Sequence, residues 1–294
     1  MKVAVHKSAI PENQMFIIKE LEDKHFDPQW HAHSEYQLFV VLEGTGTRFI
    51  GDSIKSFKDT ELVLTGKDLP HLWRSDEVYF RKDSPLSIKG IVIYLQENFL
   101  GEHMLEKEEL FLLKKLFRRS SRGLEFYGAH RDEVISMMKE LLYMKENLRG
   151  LESLIQLLKI LNILAQSKEY HYISHSEYTG RFNENETDRM NKVYEYTLAN
   201  FRKKISLREL AEMLFMTPTS FSRYFTSRNN KSFSSFVSEI RIKHACKLLI
   251  ETDLPVSTIS YECGFNTLSN FNKQFRDVML KKPSEYKAEF SGIL

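Results

Sequence analysis

The sequence predicts an α+β protein of two domains: an N-terminal β-sandwich or small barrel backed by a helical segment, then an all-α domain built from two helix-turn-helix units. Three observations predict it. Short apolar runs separated by turn formers fill the first hundred residues. From residue 102 the apolar residues fall at helical spacing. Beyond residue 188 one helix pair, with its caps and aromatic residues, recurs about 50 positions later.

The 294 residues suffice for two domains, and 42% hydrophobic with 28% charged residues is an ordinary globular composition. No apolar run reaches the roughly 18 residues of a transmembrane candidate, and the N-terminus lacks the apolar core of a secretory signal. No membrane partner is therefore expected, and the cytoplasm is the expected location. Two cysteines, Cys246 and Cys263, make no disulfide framework and fit a reducing compartment. The net charge of +2 is unevenly spread: residues 188–294 hold 17 Lys+Arg against 11 Asp+Glu, and residues 1–187 hold 25 against 29. A basic tail beside an acidic first part points to a polyanionic partner for the tail.

Strands are predicted at 36–42, 48–50, 61–64 and 88–95, broken at Gly44 and Gly46, Gly51-Asp52, Gly66-Lys67-Asp68 and Asp83-Ser84-Pro85. Many short strands at close spacing read as a sandwich or small barrel. Residues 102–168 carry helical stripes: Leu110, Leu113, Leu116 and Phe117; Val134, Met137, Met138 and Leu141; then Leu151, Leu154, Leu158 and Leu161, widened by Leu157 and Leu164. Such stripes either cover the strands or make a dimer seam, and the pattern is the same for both. Residues 171–187 are polar and aperiodic and read as a linker. The expected division is 1–170 (barrel about 1–100, helices about 102–168), linker 171–187, and 188–294.

In the last part, Ser206 can cap a helix, with Glu209 completing a capping box, and Leu207, Leu210, Ala211 and Leu214 form its apolar face. A turn follows near Phe215 and Met216. Thr217 and Pro218 then open a second helix that turns Phe221 and Phe225 toward the first. The grammar repeats over 255–280. Val256, Ile259 and Cys263 are apolar, Ser260 stands for Ala211, Gly264 suits a left-handed turn, Asn266 or Thr267 can cap, and Phe271 and Phe275 repeat the aromatic pair. Ser260 follows Ala211 by 49 positions and Phe271 follows Phe221 by 50, so the second turn holds one extra residue. Residues 232–251 form a helix between the units, which can hold two recognition helices about 34 Å apart for successive major grooves.

With the Phe pairs inward, Thr219, Ser222, Arg223 and Thr226 face outward in the first unit, and Ser269, Asn272, Lys273 and Arg276 in the second. Arg can read guanine through two hydrogen bonds, and Ser, Thr and Asn can meet bases or phosphates. Thr217 and Thr267, at helix N-termini, suit phosphate. A merely solvated face has the same composition. Residues 188–294 resemble the DNA-binding domain of the AraC/XylS family of bacterial regulators, whose signature is matched by Ile259, Gly264, Phe265, Phe271, Phe275, Arg276, Pro283 and Tyr286. Two residues depart from it. Ser260 replaces the usual alanine, and Leu280 stands where the family usually has glycine. Asn230, at the equivalent place in the first unit, tolerates a left-handed conformation; Leu280 does not, so a different backbone is expected there. The resemblance implies a sequence-specific transcription regulator, ligand-responsive and homodimeric, and an activator more than a repressor. Its partners would be double-stranded DNA, a small-molecule effector and RNA polymerase.

In the first domain, His31 and His33 precede a strand, and His71 follows Pro70. The segment HAHSEYQLFVVLEGTG resembles the first cupin motif, and LPHLW supplies the histidine of the second, which implies a cupin-like barrel. Where metal-binding cupins usually carry glutamate, this chain has Gln37, with Glu35 nearby as a substitute. The set lacks its anionic ligand, so no metal and no cofactor are expected. His31, His33, Tyr36, Gln37, His71 and Trp73 then read either as the lining of a ligand pocket or as satisfied core groups. A metal-dependent cupin enzyme with an appended helical module is the alternative to a regulator. A third possibility is a constitutive DNA binder whose barrel only dimerises.

Overall fold

Alternation of inward and outward side chains builds the first unit from β1 (Phe16–Asp23), β2 (Tyr36–Glu43), β3 (Gly46–Ile50), β4 (Ser53–Phe57), β5 (Leu62–Thr65), β6 (His71–Ser75), β7 (Ile88–Leu95), β8 (Leu124–Phe126) and β9 (Tyr170–Tyr172). The computed structural model describes residues 10–147, 150–175, 177 and 184–290. Within them two sheets form, ordered β1-β7-β2-β5-β8-β9 and β4-β3-β6, with every pairing antiparallel. β2 lies inside the larger sheet and is covered on both faces, which is why it reads as a nearly continuous apolar run. Its Phe39 and Val41 join Val63, Val92, Ile50, Phe57 and Trp73 in one core. Its Leu38 and Val40 face the other way, toward α1 (Phe111–Ser120), α2 (Gly128–Glu146) and α3 (Gly150–Gln166). There Leu116, Met138, Leu141, Leu157, Ile160 and Leu164 are buried. Each such side chain contributes about 1.5–3 kcal/mol relative to exposure.

The structure corrects several sequence readings of this unit. β1, β4 and β6 were not anticipated, and β8 interrupts the stretch expected to be helical throughout. β8 is only three residues long, too short to show a period, and its place comes from pairing with β5 and β9. The α3 stripe is rotated from the expected one: Leu151 is 72% exposed, while Ser153, Leu157, Ile160, Leu161 and Leu164 are buried. The expected linker at 171–187 is ordered at both ends. Tyr170–Tyr172 is an edge strand, Ile173 N–H donates to Gly123 O (3.0 Å) and Ser174 N–H to Arg122 O (2.8 Å). Ser174 Oγ also donates to Asp52 at 2.9 Å. Backbone pairing of an exposed edge leaves no trace in composition, so a polar strand there reads as linker. At the other end α4 (Glu184–Asn200) has already begun. His175 N–H likewise donates to Asp52 at 3.0 Å, and residues 176 and 178–183 of the expected linker lie outside the described residues.

Contacts divide the chain into Met1–Thr187 and Asp188–Leu294. The second unit holds most of α4 and then α5 (Leu207–Met213), α6 (Pro218–Asn229), α7 (Phe233–Glu251), α8 (Val256–Glu262), α9 (Leu268–Met279) and α10 (Pro283–Phe290). α7 serves two cores. Its Phe233 and Phe236 pack against Phe225 (ring centroids 5.2 Å each), and Phe236 also meets Tyr194 of α4 at 5.0 Å. Farther along, its Ile242, Ala245, Cys246 and Leu249 pack with Ile259, Cys263, Phe265, Phe271 and Phe275. Among the described residues, no helix is long and apolar enough to cross a membrane.

Candidate functional site

The two helix pairs of the second unit repeat hydrogen bond by hydrogen bond. Met216 N–H donates to Ala211 O at 2.8 Å, and 49 positions on Phe265 N–H donates to Ser260 O at 3.1 Å. Phe215 N–H donates to Glu212 O at 3.1 Å, and Gly264 N–H to Tyr261 O at 2.9 Å. Thr217 Oγ1 then accepts from Ser220 N–H, and Thr267 Oγ1 from Asn270 N–H, each at 3.2 Å and now at an offset of 50. The offset changes between Phe265 and Thr267, which makes Asn266 the extra residue and Thr267 the cap. The capping box at α5 is formed: Arg208 N–H donates to Ser206 Oγ (3.2 Å), and Ser206 N–H to Glu209 (3.4 Å).

Left-handed residues repeat too. Phe215 (φ 56°) matches Gly264 (φ 83°), and Asn230 (φ 53°) matches Leu280 (φ 58°). A Cβ on Gly264 would lie 2.6 Å from Arg202 O, so a side chain is excluded there, whereas Phe215 is 98% exposed. Leu280 therefore adopts the conformation of Asn230, contrary to the different backbone expected. Its N–H donates to Arg276 O at 2.8 Å, just as Asn230 N–H donates to Thr226 O at 2.9 Å, and its side chain is 87% exposed. The C-terminal hydrogen bond of α9 holds the residue in that region despite its Cβ.

Phe221, Phe225, Phe271 and Phe275 are fully buried. On the opposite faces Thr219, Ser222, Arg223 and Thr226 of α6 are exposed, as are Ser269, Lys273 and Arg276 of α9, with Asn272 half-buried; the caps Thr217 and Thr267 are exposed. Sequence reasoning missed a groove between the helix pairs, of about 970 Å³, lined by Lys204, Ser206, Ser234, Ser235, Asn270 and Gln274 among others. The N-termini of α5, α7 and α9 border it, each capped by a hydroxyl: Ser206, Ser232 and Thr267. Three helix N-termini with a lysine favour anions. The run Ser232-Phe-Ser-Ser was the available signal. Arg241, which adds to the positive charge of α7, is engaged inside the fold: its guanidinium donates to Phe201 O (2.6 Å) and Lys203 O (2.7 Å).

In the first unit a cavity of about 220 Å³ is lined by His31, His33, Gln37 and Trp73, together with Lys19, Phe39, Tyr94 and others that sequence reasoning did not select. His71 lies behind Gln37 and is fully buried. Tyr36 is not with them. It lies in the opposite phase of β2, stacks on Phe117 at 4.1 Å and donates to Glu97 at 3.5 Å. Burial lowers the pKa of His33 and takes that of His71 well below the usual imidazole range, where His31 and His33 lower it further. Burial raises the Tyr94 phenol to about 12.

Residues 210–289 match the family described as helix-turn-helix domain. The chain is 22% identical over 260 residues to the Msm operon regulatory protein of Streptococcus mutans serotype c (strain ATCC 700610 / UA159), covering 87% of this chain and 85% of that protein. An uncharacterized HTH-type transcriptional regulator of Staphylococcus aureus (strain MSSA476) is 27% identical over 123 residues; the match spans 42% of this chain but only 16% of that protein. Among solved structures, ToxT from Vibrio cholerae aligns over 95% of this chain and 100% of its own, at 16% identity and a TM-score of 0.37. The DNA-binding domain of AdpA, solved with a target DNA, aligns over 34% of this chain and 91% of its own, at 23% identity and a TM-score of 0.33. With this family match lying on the repeated helix pairs, the C-terminal unit is an AraC/XylS-type double helix-turn-helix domain.

Proposed function

We propose that this protein is a sequence-specific, DNA-binding transcription regulator that works as a homodimer, responds to a small-molecule effector and activates rather than represses. The observation that carries the DNA reading is the repeat itself: two helix pairs in the same hydrogen-bond register, each presenting an exposed polar face with a cation, Arg223 on one and Lys273 on the other. Arg223 reads a guanine in one box and Lys273 a base in the other, flanked by Thr219, Ser222 and Thr226, and by Ser269, Asn272 and Arg276. Thr217 and Thr267 hold phosphates at the helix starts, and the groove beside Lys204 seats the backbone between the boxes. Exposed Tyr143 on α2 and Leu151 and Ile155 on α3 support the dimer seam. The cavity beside Trp73 supports an effector site. RNA polymerase is the partner that activation requires.

Selection from randomised oligonucleotides tests the reading. Wild type should enrich two boxes about one helical turn apart. Arg223→Ala and Lys273→Ala should each relax one box, at a cost of about 1–3 kcal/mol. Equal, salt-sensitive binding to every sequence would overturn it.

A further inference from the structure

The two reading helices repeat each other closely, yet they are fastened differently at their far ends. Tyr194 of α4 donates its hydroxyl hydrogen to Oδ1 of Asn229, the last residue of α6, at 2.7 Å. Both side chains are buried. The amide is held in one orientation, because its Nδ2 donates to Phe225 O at 3.2 Å and so leaves Oδ1 for the phenol. The Tyr194 ring in turn packs edge-on against Phe236 of α7, with centroids 5.0 Å apart at 66°. A phenol and an amide taken out of water together keep their places only while each satisfies the other.

This bond is directional where the packing around it is not. Phe221 and Phe225 hold α6 by apolar burial, which fixes how near the helix lies but resists turning about its axis only weakly. A hydrogen bond fixes the turn as well. At a side-chain radius of about 6 Å, a turn of about 10° moves a side-chain tip by about 1 Å. A hydrogen bond to a base edge tolerates only about 2.7–3.2 Å, so a turn of that size takes Arg223 off its base.

α9 has no such tether. Counting back from the left-handed residues that end the two helices, Met279 stands where Asn229 stands. Lys243 Nζ of α7 donates to its Sδ at 3.6 Å, a weak bond to a polarisable atom. Ser238 of α7 donates to Gln274 at 2.8 Å, and the rings of Phe265 and Tyr286 pack on Phe271 and Phe275. Among the described residues no hydrogen bond or ring contact joins α9 to α4.

We propose that Tyr194 and Asn229 are positioning residues that make base selection in the first box, and not in the second, depend on α4. The proposal rests on the DNA reading of α6 and α9. The chain enters the second unit along α4, so selection at the first box answers to that helix while the second box is set from α7.

The test uses the full chain as wild type, Tyr194→Phe and Tyr194→Phe/Asn229→Leu, each followed by its urea midpoint and by competition between the selected two-box duplex and its single-base variants. Tyr194→Phe keeps the ring and strands the amide oxygen. It should lower the midpoint and cut discrimination at the base read by Arg223 about tenfold, with the Lys273 box unchanged. The double variant replaces both partners by apolar groups of similar shape. It should regain most of the midpoint and still show the relaxed first box. Discrimination that recovers together with the midpoint would make the pair a purely structural bond and overturn the proposal. Equal relaxation of both boxes would overturn it as well. Wild type that selects no boxes ends the DNA reading and this proposal with it, whereas wild type that selects two boxes left unchanged by the variants ends this proposal alone.

Discussion

Ser260 occupies the place of Ala211 where the two helices of a pair cross, and both side chains are fully buried. The added Oγ has no hydrogen-bond partner among the described residues. A buried hydroxyl without a partner costs about 1–3 kcal/mol. Ser260→Ala should therefore raise the stability of the C-terminal unit by about 1 kcal/mol, read as a higher urea midpoint at unchanged slope; a lower midpoint would mean that the hydroxyl has a partner in solution. Leu280 argues the same way from the backbone. At φ 58° its Cβ carries a left-handed penalty of about 1–2 kcal/mol, and an 87% exposed side chain offers little packing in return. Leu280→Gly should stabilise by about 1 kcal/mol, allowing for the freedom glycine adds to the unfolded chain. A stability loss in the same titration would show that the exposed leucine makes a contact worth more than its strain. These residues were legible in the sequence as departures from a pattern. What the sequence misjudged was the response. At Leu280 the chain kept the turn and accepted the strain, because the hydrogen bond to Arg276 O and the following helix fix the path of the backbone.

At the scale of elements, the C-terminal unit was the easier half to read, because its signals are local. The hydroxyls of Ser206, Thr217 and Thr267 cap the helices they precede, and the paired Phe residues recur at helical spacing. The first unit depends on partners distant in sequence. β8 and β9 are three residues each, and only pairing across about 45 intervening residues makes them strands. The outward phase of Tyr36 was equally hidden, since β2 is apolar on both faces and its sequence does not say which face meets the helices. The groove at the N-termini of α5, α7 and α9 joins serines and asparagines that look unremarkable singly. α7 carries the prediction at this scale. One helix furnishes side chains to both cores, so it sets the separation of α6 and α9. Inserting about 5 bp between the selected boxes turns one of them to the opposite side of the duplex, since a turn is about 10–10.5 bp. Gel-shift affinity should then fall to that of a single box. Unchanged affinity would mean that the two halves read DNA without a fixed spacing.

For the whole molecule, the division into two units carries its own expectation. A fragment of residues 184–294 should fold cooperatively and select the same boxes as the full chain. The full chain should bind paired sites more tightly, by about 10²–10⁴-fold, if the first unit brings two copies together. Leu151→Arg should place a charge on the exposed end of α3 and reduce the full chain to the affinity of the fragment, with sedimentation showing monomer. Persistent dimer in that variant would move the seam elsewhere on the first unit.

The segment at 170–174 has a mechanical side as well. It is zipped to β8 along Tyr170–Tyr172 and pinned beyond that by Ile173, Ser174 and the His175 N–H, which donates to Asp52. Five residues in extended form measure about 17 Å. The edge of a sheet can be peeled one pair at a time, at a lower force than pulling a helix out of its packing. Release of that edge would free about 17 Å of chain, so whatever tightens or loosens the β8 edge sets whether this length is stowed or paid out.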